Sequence, residues 1–464
     1  MKFLQWIDEH KDEMIKDLGD LIAINSVEGE PKPDAPFGEG PKKALQAFLE
    51  IGKRDGFEID NLQNYAGDIE FGKGDETVGI LAHVDVVPAG GNWDTDPFEM
   101  VNDGEYLQGR GTQDDKGPAI AAYYAMRSLK ETDEKLIRKI RLILGTNEET
   151  HWGGINYYVK NKKMPDFGFT PDAEFPVIFG EKGIITGSLK LNYDFKNTIV
   201  KDIVGGNAPN MVPDYCNLVI DAKNVTNEIK SIATLPEFSV EEKGGDYIIT
   251  AKGKSAHGST PQAGVNAISV LMEKIVKLLP ENDSFKKFAN FYNEKLGFNM
   301  HGEGLGIDFE DELSGKLNFN IGMISRKENS MEIILNMRHP LEGVTKKEII
   351  DKINEGCTEY GGEFTMTGGE EPLFIDPESK LVKILMDAYQ KETGDTKSKP
   401  MTIGGGTYAK AMKNCVAYGA MFLDDEDRMH QKNERIRIDR LIQAAKIYAV
   451  ALKNLASEEK VLDN

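Results

Sequence analysis

The sequence predicts an α/β protein in which a domain with a mostly parallel central sheet flanked by helices is interrupted by an inserted α+β domain. Helical and strand-like patterns alternate up to about residue 185, strand-like runs dominate from 186 to 385, and helical patterns then return. The chain of 464 residues is also long for a single hydrophobic core. We therefore expect a first segment at 1–185, an inserted domain at 186–385 and a returning segment at 386–464.

The first segment shows the alternation that is typical of a parallel sheet. It opens with an amphipathic helix, because the apolar residues between Phe3 and Ile22 recur at helical spacing. Strands are predicted at 68–72, 78–83 and 140–144. Gly117 and Pro118 begin an apolar stretch that favours a helix, since proline is tolerated in a first turn.

The inserted domain alternates apolar and polar residues in runs such as GSLKLNY, NLVIDAK and MEIILNMR. This pattern is typical of an antiparallel sheet with one covered face. Helices are predicted at 267–279 and 346–355. The returning segment should contain a helix at 379–392, a short strand at 416–422 and a final helix from Asp439.

Composition excludes several classes of function. The formal net charge of -21 argues against nucleic acid or an anionic membrane as a partner, because phosphate binding needs clustered Lys and Arg. The three cysteines form no CxxC pair, so neither a disulfide framework nor a thiolate zinc site is indicated. The N-terminal pattern contains no uninterrupted apolar run that would indicate a signal peptide or a membrane span. We expect a cytoplasmic protein.

Histidine and acidic residues follow the predicted strands. His83 and Asp85 end the apolar run VGILAH and point to the same side, so one could ligate a metal while the other holds the imidazole. A polar loop after a strand is the alternative. Asp114 and Asp115 precede a helix at the sheet edge where α/β proteins place sites, and a carboxylate can bridge two cations. A capped, charged helix start is the alternative there.

Glu148 and Glu149 follow the strand at 140–144. Adjacent carboxylates repel each other unless a cation or a proton intervenes. One of them could therefore be a metal ligand and the other a general base beside metal-bound water. Taken alone, the pair could also be a solvated acidic turn.

Five ordered motifs carry a resemblance over nearly the whole chain. LAHVDVVPAG, GRGTQDDKGP, TNEETHWGG, TPDAEFPV and the late Met429-His430 resemble the PepV-type dipeptidases. These belong to the metallopeptidase family that also contains carboxypeptidase G, aminoacylase and succinyl-diaminopimelate desuccinylase.

The resemblance implies two divalent metal ions, zinc first, with manganese or cobalt as alternatives. It implies that Asp114 bridges both ions, and the ligands that complete the two coordination sets are His83 with Asp172 and Glu149 with His430.

The resemblance also assigns roles around the ions. Asp85 would orient His83, and Glu148 would be the general base for a metal-bridging hydroxide. A cis peptide bond after Asp114 is implied as well.

In the inserted domain the resemblance implies groups that contact the substrate. His257 in SAHG would stabilise the oxyanion together with Asn210 in NMVP, and Arg338 in LNMRHP would bind a substrate carboxylate. A surface histidine and an exposed strand arginine are the alternatives. The turn ending at Gly406 lacks the Walker and GxGxxG patterns, so we reject nucleotide binding and expect it beside the substrate's C-terminal end.

These expectations describe a monomeric, metal-dependent hydrolase of unblocked dipeptides, with the inserted domain as a lid that limits substrate length. An amidase or deacylase acting on N-acylated amino acids is the nearest alternative, because the same centre cleaves any amide that reaches it. A catalytically silent metal- or peptide-binding protein is the alternative of another class. The presence of both Asp85 and Glu148 argues against it, since binding alone does not require a general base.

Overall fold

The computed structural model describes residues 1–193 and 195–462, and the chain forms two compact units. The first unit comprises Met1–Gly180, Phe374–Met401 and Thr407–Asn464. The second comprises Glu181–Leu373 and Thr402–Gly406. Each unit encloses its own cluster of buried apolar side chains. Within the described residues, no helix has the length and apolar character needed to cross a bilayer.

The α-helices are, in chain order, α1 (Lys2–Glu9), α2 (Lys11–Ile22), α3 (Glu39–Arg54), α4 (Lys116–Glu131), α5 (Gly153–Asn161), α6 (Asn227–Lys230), α7 (Ala267–Ile275), α8 (Ser284–Phe291), α9 (Lys346–Thr358), α10 (Lys380–Thr393) and α11 (Ile438–Ser457).

The strands are β1 (Glu58–Leu62), β2 (Ala66–Phe71), β3 (Thr77–His83), β4 (Val101–Asn102), β5 (Tyr106–Gln108), β6 (Lys139–Gly145), β7 (Phe167–Thr170), β8 (Ala173–Glu174), β9 (Ile178–Glu181), β10 (Gly183–Asn192), β11 (Val200–Gly205), β12 (Tyr215–Asp221), β13 (Phe238–Lys243), β14 (Asp246–Lys252), β15 (Glu310–Asp311), β16 (Gly315–Lys316), β17 (Asn318–Arg326), β18 (Ser330–His339), β19 (Gly362–Glu370), β20 (Leu373–Phe374), β21 (Met401–Ile403), β22 (Cys415–Ala417), β23 (Ala420–Met421) and β24 (Arg435–Arg437).

The central sheet of the first unit runs in the order β1-β2-β6-β3-β7-β22-β9. Its four middle strands, β6, β3, β7 and β22, are parallel, whereas β1, β2 and β9 pair antiparallel at the two sides. Every residue of β3 is buried, as expected for a strand covered on both faces. The predicted α/β class with a mostly parallel central sheet is confirmed.

Helices of the first unit differ from the prediction at two places. The N-terminal helix is two helices, with His10 between α1 and α2 at φ -110° and ψ 12° and its ring stacked on Trp6. The apolar spacing continues across this break, so periodicity alone does not detect it. Helix α10 packs on α11 within the first unit, so the expected domain boundary at residue 385 falls inside a helix of that unit.

Other predicted elements differ in their bounds. The strand expected at 416–422 is two short strands, β22 and β23, and the peptide bond between Gly419 and Ala420 is cis. The helix expected at 267–279 ends at Ile275.

The second unit is built on an eight-stranded antiparallel sheet in the order β13-β14-β12-β11-β17-β18-β10-β19. Burial alternates along β12 and β14, which is the pattern of strands with one covered face. Helix α9 begins at a capping box, in which Thr345 and Glu348 satisfy each other's backbone N–H groups. The expectation of an antiparallel α+β insertion is confirmed.

Candidate metal centre

Three neighbouring parallel strands of the first unit end at one edge of the sheet. Strand β3 ends at His83, which pairs with Gly145 at the end of β6, and Asp172 follows β7 by two residues. The turn after β6 carries Glu148 and Glu149. Because parallel strands present their carboxyl ends together, these side chains from distant parts of the sequence meet.

Two groups of side chains in the described residues have the geometry to hold a metal ion. One consists of His83, Asp114 and Glu149, and the other of His83, Glu148 and Asp172. In each group the ligand atoms lie within 4.8 Å of one another. The Nε2 atom of His83 lies 3.0 Å from Oδ1 of Asp114 and 3.7 Å from Oδ2 of Asp172.

His430 joins the same cluster from the far end of the chain. Its Nε2 atom lies 2.9 Å from Oδ2 of Asp114 and 3.0 Å from Oε2 of Glu149. The side chain is 53% exposed, and its backbone has a φ of 60°, in the left-handed region. The two oxygens of Asp114 therefore face two different imidazoles, which is an arrangement suited to a carboxylate shared between two cations.

The electrostatics of the cluster indicate a shortage of positive charge. Burial, together with the negative charge of Asp114, raises the pKa of Asp172 to about 7. Burial also raises the pKa of Glu148 well above its usual value, with added repulsion from Asp172 and Glu149. Partial loss of hydration opposes protonation of His430, but hydrogen bonds with Asp114 and Glu149 raise its pKa to about 12. Bound cations would relieve this repulsion without requiring protons.

Asp85 lies behind the histidine, on the side away from the carboxylates. Its backbone oxygen is 3.0 Å and its Oδ1 atom 3.5 Å from Nδ1 of His83, so the Nε2 atom faces the cluster. Its Oδ2 atom accepts a hydrogen bond of 3.1 Å from the backbone N–H of Glu149. One carboxylate thus orients both a histidine and an acidic neighbour.

Asp115 and Lys116 support the backbone around the centre. The Oδ2 atom of Asp115 accepts a hydrogen bond from the backbone N–H of His83 at 3.1 Å. Burial lowers the pKa of Lys116 to about 7, and its Nζ donates to the carbonyls of Leu21 and Ile24. The expected cis peptide bond between Asp114 and Asp115 is confirmed.

Glu434 is a buried residue beside the centre that the sequence did not indicate. Its Oε1 atom accepts hydrogen bonds from three backbone N–H groups of the loop that ends at Asp114, and its Oε2 atom pairs with Arg110. Burial raises the pKa of Glu434 to about 7, while Arg110 and the N–H groups favour the charged form. No sequence signal finds it, because a lone Glu four residues after His430 resembles ordinary loop sequence.

The second unit holds the residues predicted to contact substrate. Asn210 and His257 are exposed and lie on two loops that pair with each other: the N–H of Gly258 donates to the carbonyl of Asn210 at 2.7 Å, and Met211 forms a bridge with His257. The buried side chain of Asn320 donates 2.9 Å hydrogen bonds to the carbonyls on both sides of Asn210. The structure therefore brings Asn210 and His257 onto one supported surface of this unit.

Arg338 and the glycine turn also belong to the second unit. Arg338 is buried on β18, and among the described residues its guanidinium forms no ion pair and its Nε atom has no hydrogen-bond partner. Burial alone lowers its pKa to about 10. The turn that ends at Gly406 approaches the His257 loop, since a Cβ atom on Gly404 would lie 3.0 Å from Cβ of Ser259.

A parallel α/β sheet with two histidines and several carboxylates at its C-terminal edge is the architecture of a metal-dependent hydrolase. Residues 79–454 match the model of Peptidase family M20/M25/M40, and the chain belongs to this family. It is therefore a peptidase of the class that the motifs indicated.

Relatives and solved structures extend the likeness over the full length. A Staphylococcus epidermidis protein with the name "Putative dipeptidase" is 41% identical over 468 residues, covering 97% of this chain and 98% of the relative. The structure of human carnosine dipeptidase 1 has a TM-score of 0.61 at 18% identity, over 98% of both chains. That of the di-peptidase Dug1p from Saccharomyces cerevisiae has a TM-score of 0.60 at 13% identity, over 99% of both chains. At these identities the two structures establish the fold.

Proposed function

We propose that this peptidase hydrolyses the peptide bond of unblocked dipeptides at a centre of two divalent metal ions. The observation that carries the proposal is the position of Asp114, whose two carboxylate oxygens lie 3.0 Å from His83 and 2.9 Å from His430. A carboxylate shared in this way between two imidazoles matches a bridging ligand between two cations.

The side chains fit such a pair of ions in type and in charge. His83 and Asp172 would hold one ion, Glu149 and His430 the other, and Asp114 both. The positive charges of two divalent ions would offset the three ligand carboxylates and displace the protons that the cluster otherwise retains. Imidazole with carboxylate suits zinc, and manganese or cobalt are the alternatives. When bound, the ions would lower the pKa of water and polarise the scissile carbonyl.

Glu148 is proposed as the group that moves the proton. It lies in the group with His83 and Asp172, and burial raises its pKa. A carboxylate with a raised pKa can take a proton from the attacking water and return it to the leaving amine nitrogen. Asp85 would keep the ring of His83 in its ligating orientation.

The second unit is proposed to recognise the substrate. His257 and Asn210, on paired loops, would donate hydrogen bonds to the developing oxyanion. Arg338 would bind the C-terminal carboxylate, a role supported by a buried guanidinium that has no acidic partner in the described part of the chain. Backbone N–H groups of the turn at Gly406 would assist at the same end of the substrate.

A substrate panel tests this proposal against its nearest rival. We expect hydrolysis of Ala-Ala and β-Ala-His, little hydrolysis of tripeptides, and none of N-acetyl amino acids, with metal-depleted enzyme inactive on all of them. Preferential cleavage of N-acetyl amino acids would instead identify an amidase or deacylase. The name of the 41% identical relative, "Putative dipeptidase", supports a dipeptidase rather than an amidase or deacylase.

We also propose that the enzyme acts as a cytoplasmic monomer. Cys216 and Cys357 are buried thiols outside any disulfide, which suits a reducing compartment. Sedimentation velocity would show a single species of 51.5 kDa. A concentration-independent dimer would contradict the monomer.

A further inference from the structure

The side-chain carboxylate of Glu434 accepts its hydrogen bonds from the loop that carries Asp114. Its Oε1 atom accepts from the backbone N–H groups of Gly111 at 3.0 Å, Gln113 at 2.8 Å and Asp114 at 3.2 Å. The residue is 0% exposed. A buried carboxylate that accepts three N–H groups fixes the path of that loop at the residue before the cis bond.

Arg110 extends the contact to the segment behind Asp85. Its Nη1 atom donates to Oε2 of Glu434 at 2.7 Å, and Nη2 lies 3.4 Å from the carbonyls of Pro88 and Ala89. Its guanidinium stacks over the ring of Trp93 at 5.1 Å. The ion pair therefore joins the loop of Asp114 to the chain that follows His83 and Asp85.

Gln113 makes a second link, from the same loop to the segment that precedes His430. Its Nε2 atom donates to the carbonyl of Glu426, and its Oε1 atom accepts from the N–H of Arg428, both at 2.9 Å. Glu434 lies on the other side of His430 along the chain. The segment that carries His430 is thus attached to the loop of Asp114 both before and after the histidine.

We propose that Glu434 and Gln113 are positioning residues that set the spacing between Asp114 and His430 and so determine how tightly the centre binds metal. This inference rests on the proposed metal centre. Neither side chain reaches the ligand groups themselves; both act through the backbone of the loops that hold them. Residues that orient ligands in this way typically contribute about 10–100-fold to metal affinity.

Metal binding by the full-length protein tests the proposal. Metal-depleted wild type, Glu434→Gln and Gln113→Leu are titrated with Zn²⁺ against a competing chelator, and with Co²⁺ while the visible absorption spectrum is recorded. Glu434→Gln keeps the shape of the side chain but presents donors where Arg110 also donates. We expect Zn²⁺ affinity to fall about 10–100-fold and the Co²⁺ spectrum to change, with a smaller effect for Gln113→Leu.

Asp424→Asn is the matched control. It makes the same change of charge in the segment that precedes His430, but its carboxylate contacts Arg440 rather than the loop of Asp114. We expect wild-type affinity and an unchanged Co²⁺ spectrum. A shift in the spectrum reports ligand geometry, which a loss of general stability would not alter in folded protein.

The outcomes separate this inference from the proposed function. Wild-type affinity and spectra in both Glu434→Gln and Gln113→Leu, with His83→Ala weakened, would overturn the positioning role alone. If wild type binds no Zn²⁺, or His83→Ala binds as tightly as wild type, the metal centre itself is overturned. Should Glu434→Gln fail to fold, Gln113→Leu decides: wild-type binding contradicts the inference, and weaker binding with an altered spectrum supports it.

Discussion

The candidate metal ligands of the first unit and the candidate substrate groups of the second unit are held in opposite ways. His83 and His430 each lie within hydrogen-bonding distance of Asp114, and His430 also of Glu149, with Asp85 and Asp115 behind them. Asn210 and His257 are exposed and are fixed through the backbones of paired loops. This difference between the two units indicates that the proposed ligand set is complete within the first unit. Metal binding should therefore be insensitive to changes in the second unit, whereas turnover should depend on both.

The largest effect is expected for a variant of the first unit that loses catalysis but keeps its metal ions. Glu148→Ala removes the proposed base but leaves His83, Asp114, Glu149, Asp172 and His430 in place. We expect kcat on Ala-Ala to fall by at least about 10²–10⁴-fold, with metal content close to wild type. Metal analysis and initial rates check this, with His83→Ala as the variant that should lose both. Normal turnover in Glu148→Ala would refute the assignment.

His257→Ala should show the next largest effect, and it tests a residue of the second unit. It removes a proposed oxyanion donor in the second unit, so kcat should fall about 10²–10³-fold while metal affinity stays unchanged. His301→Ala is the matched control, since its ring contacts the carbonyl of Leu317 in the same unit. A drop in metal content in His257→Ala would contradict the division of roles between the two units.

Arg338→Met tests the buried guanidinium. Loss of a charged hydrogen-bonding partner for the substrate carboxylate should cost about 1.5–3 kcal/mol in kcat/KM, chiefly as a higher KM. The free protein should not lose stability, because the guanidinium is buried without an acidic partner among the described residues and its pKa is lowered to about 10. Urea denaturation and steady-state kinetics check both parts, with Arg326→Met, at a half-buried arginine of the neighbouring strand β17, as the kinetic control. Unchanged KM would exclude the carboxylate role.

Asn320→Leu should have the smallest effect on turnover. It leaves the carbonyls of Pro209 and Met211 without their donor, at a cost of about 1–3 kcal/mol in the free energy of unfolding. We expect a reduced kcat through displacement of Asn210. Asn336→Leu removes a 2.7 Å hydrogen bond to Thr186 from the paired position of the next strand, away from that loop. Equal kinetic losses in the two variants would show that Asn320 does not support Asn210 specifically.

The sequence predicted the elements that have a periodic apolar pattern and the polar residues at which such a pattern stops. The strands that end at His83 and shortly before Glu148 could be recognised because their apolar runs stop at polar residues, whereas Asp172 was assigned only through the resemblance. The parallel order of β6, β3 and β7 places the three strand ends together. The same reasoning could not predict Glu434, because its partners are backbone N–H groups more than 300 residues earlier in the chain. Nor could it detect the break at His10 or place the domain boundary outside α10. Amphipathic spacing shows which face of a helix is buried, but it does not show where a helix is interrupted or which unit it belongs to.

A two-metal centre within the first unit is proposed to drive the cleavage of unblocked dipeptides. The most direct measurement is the rate of Ala-Ala hydrolysis by metal-depleted enzyme as Zn²⁺ is added in known ratio to the chain. We predict no activity without metal and a rate that rises until two ions are bound per chain, while N-acetyl-alanine is not cleaved at any point. Full activity in the metal-depleted protein, or saturation after a single ion, would contradict it.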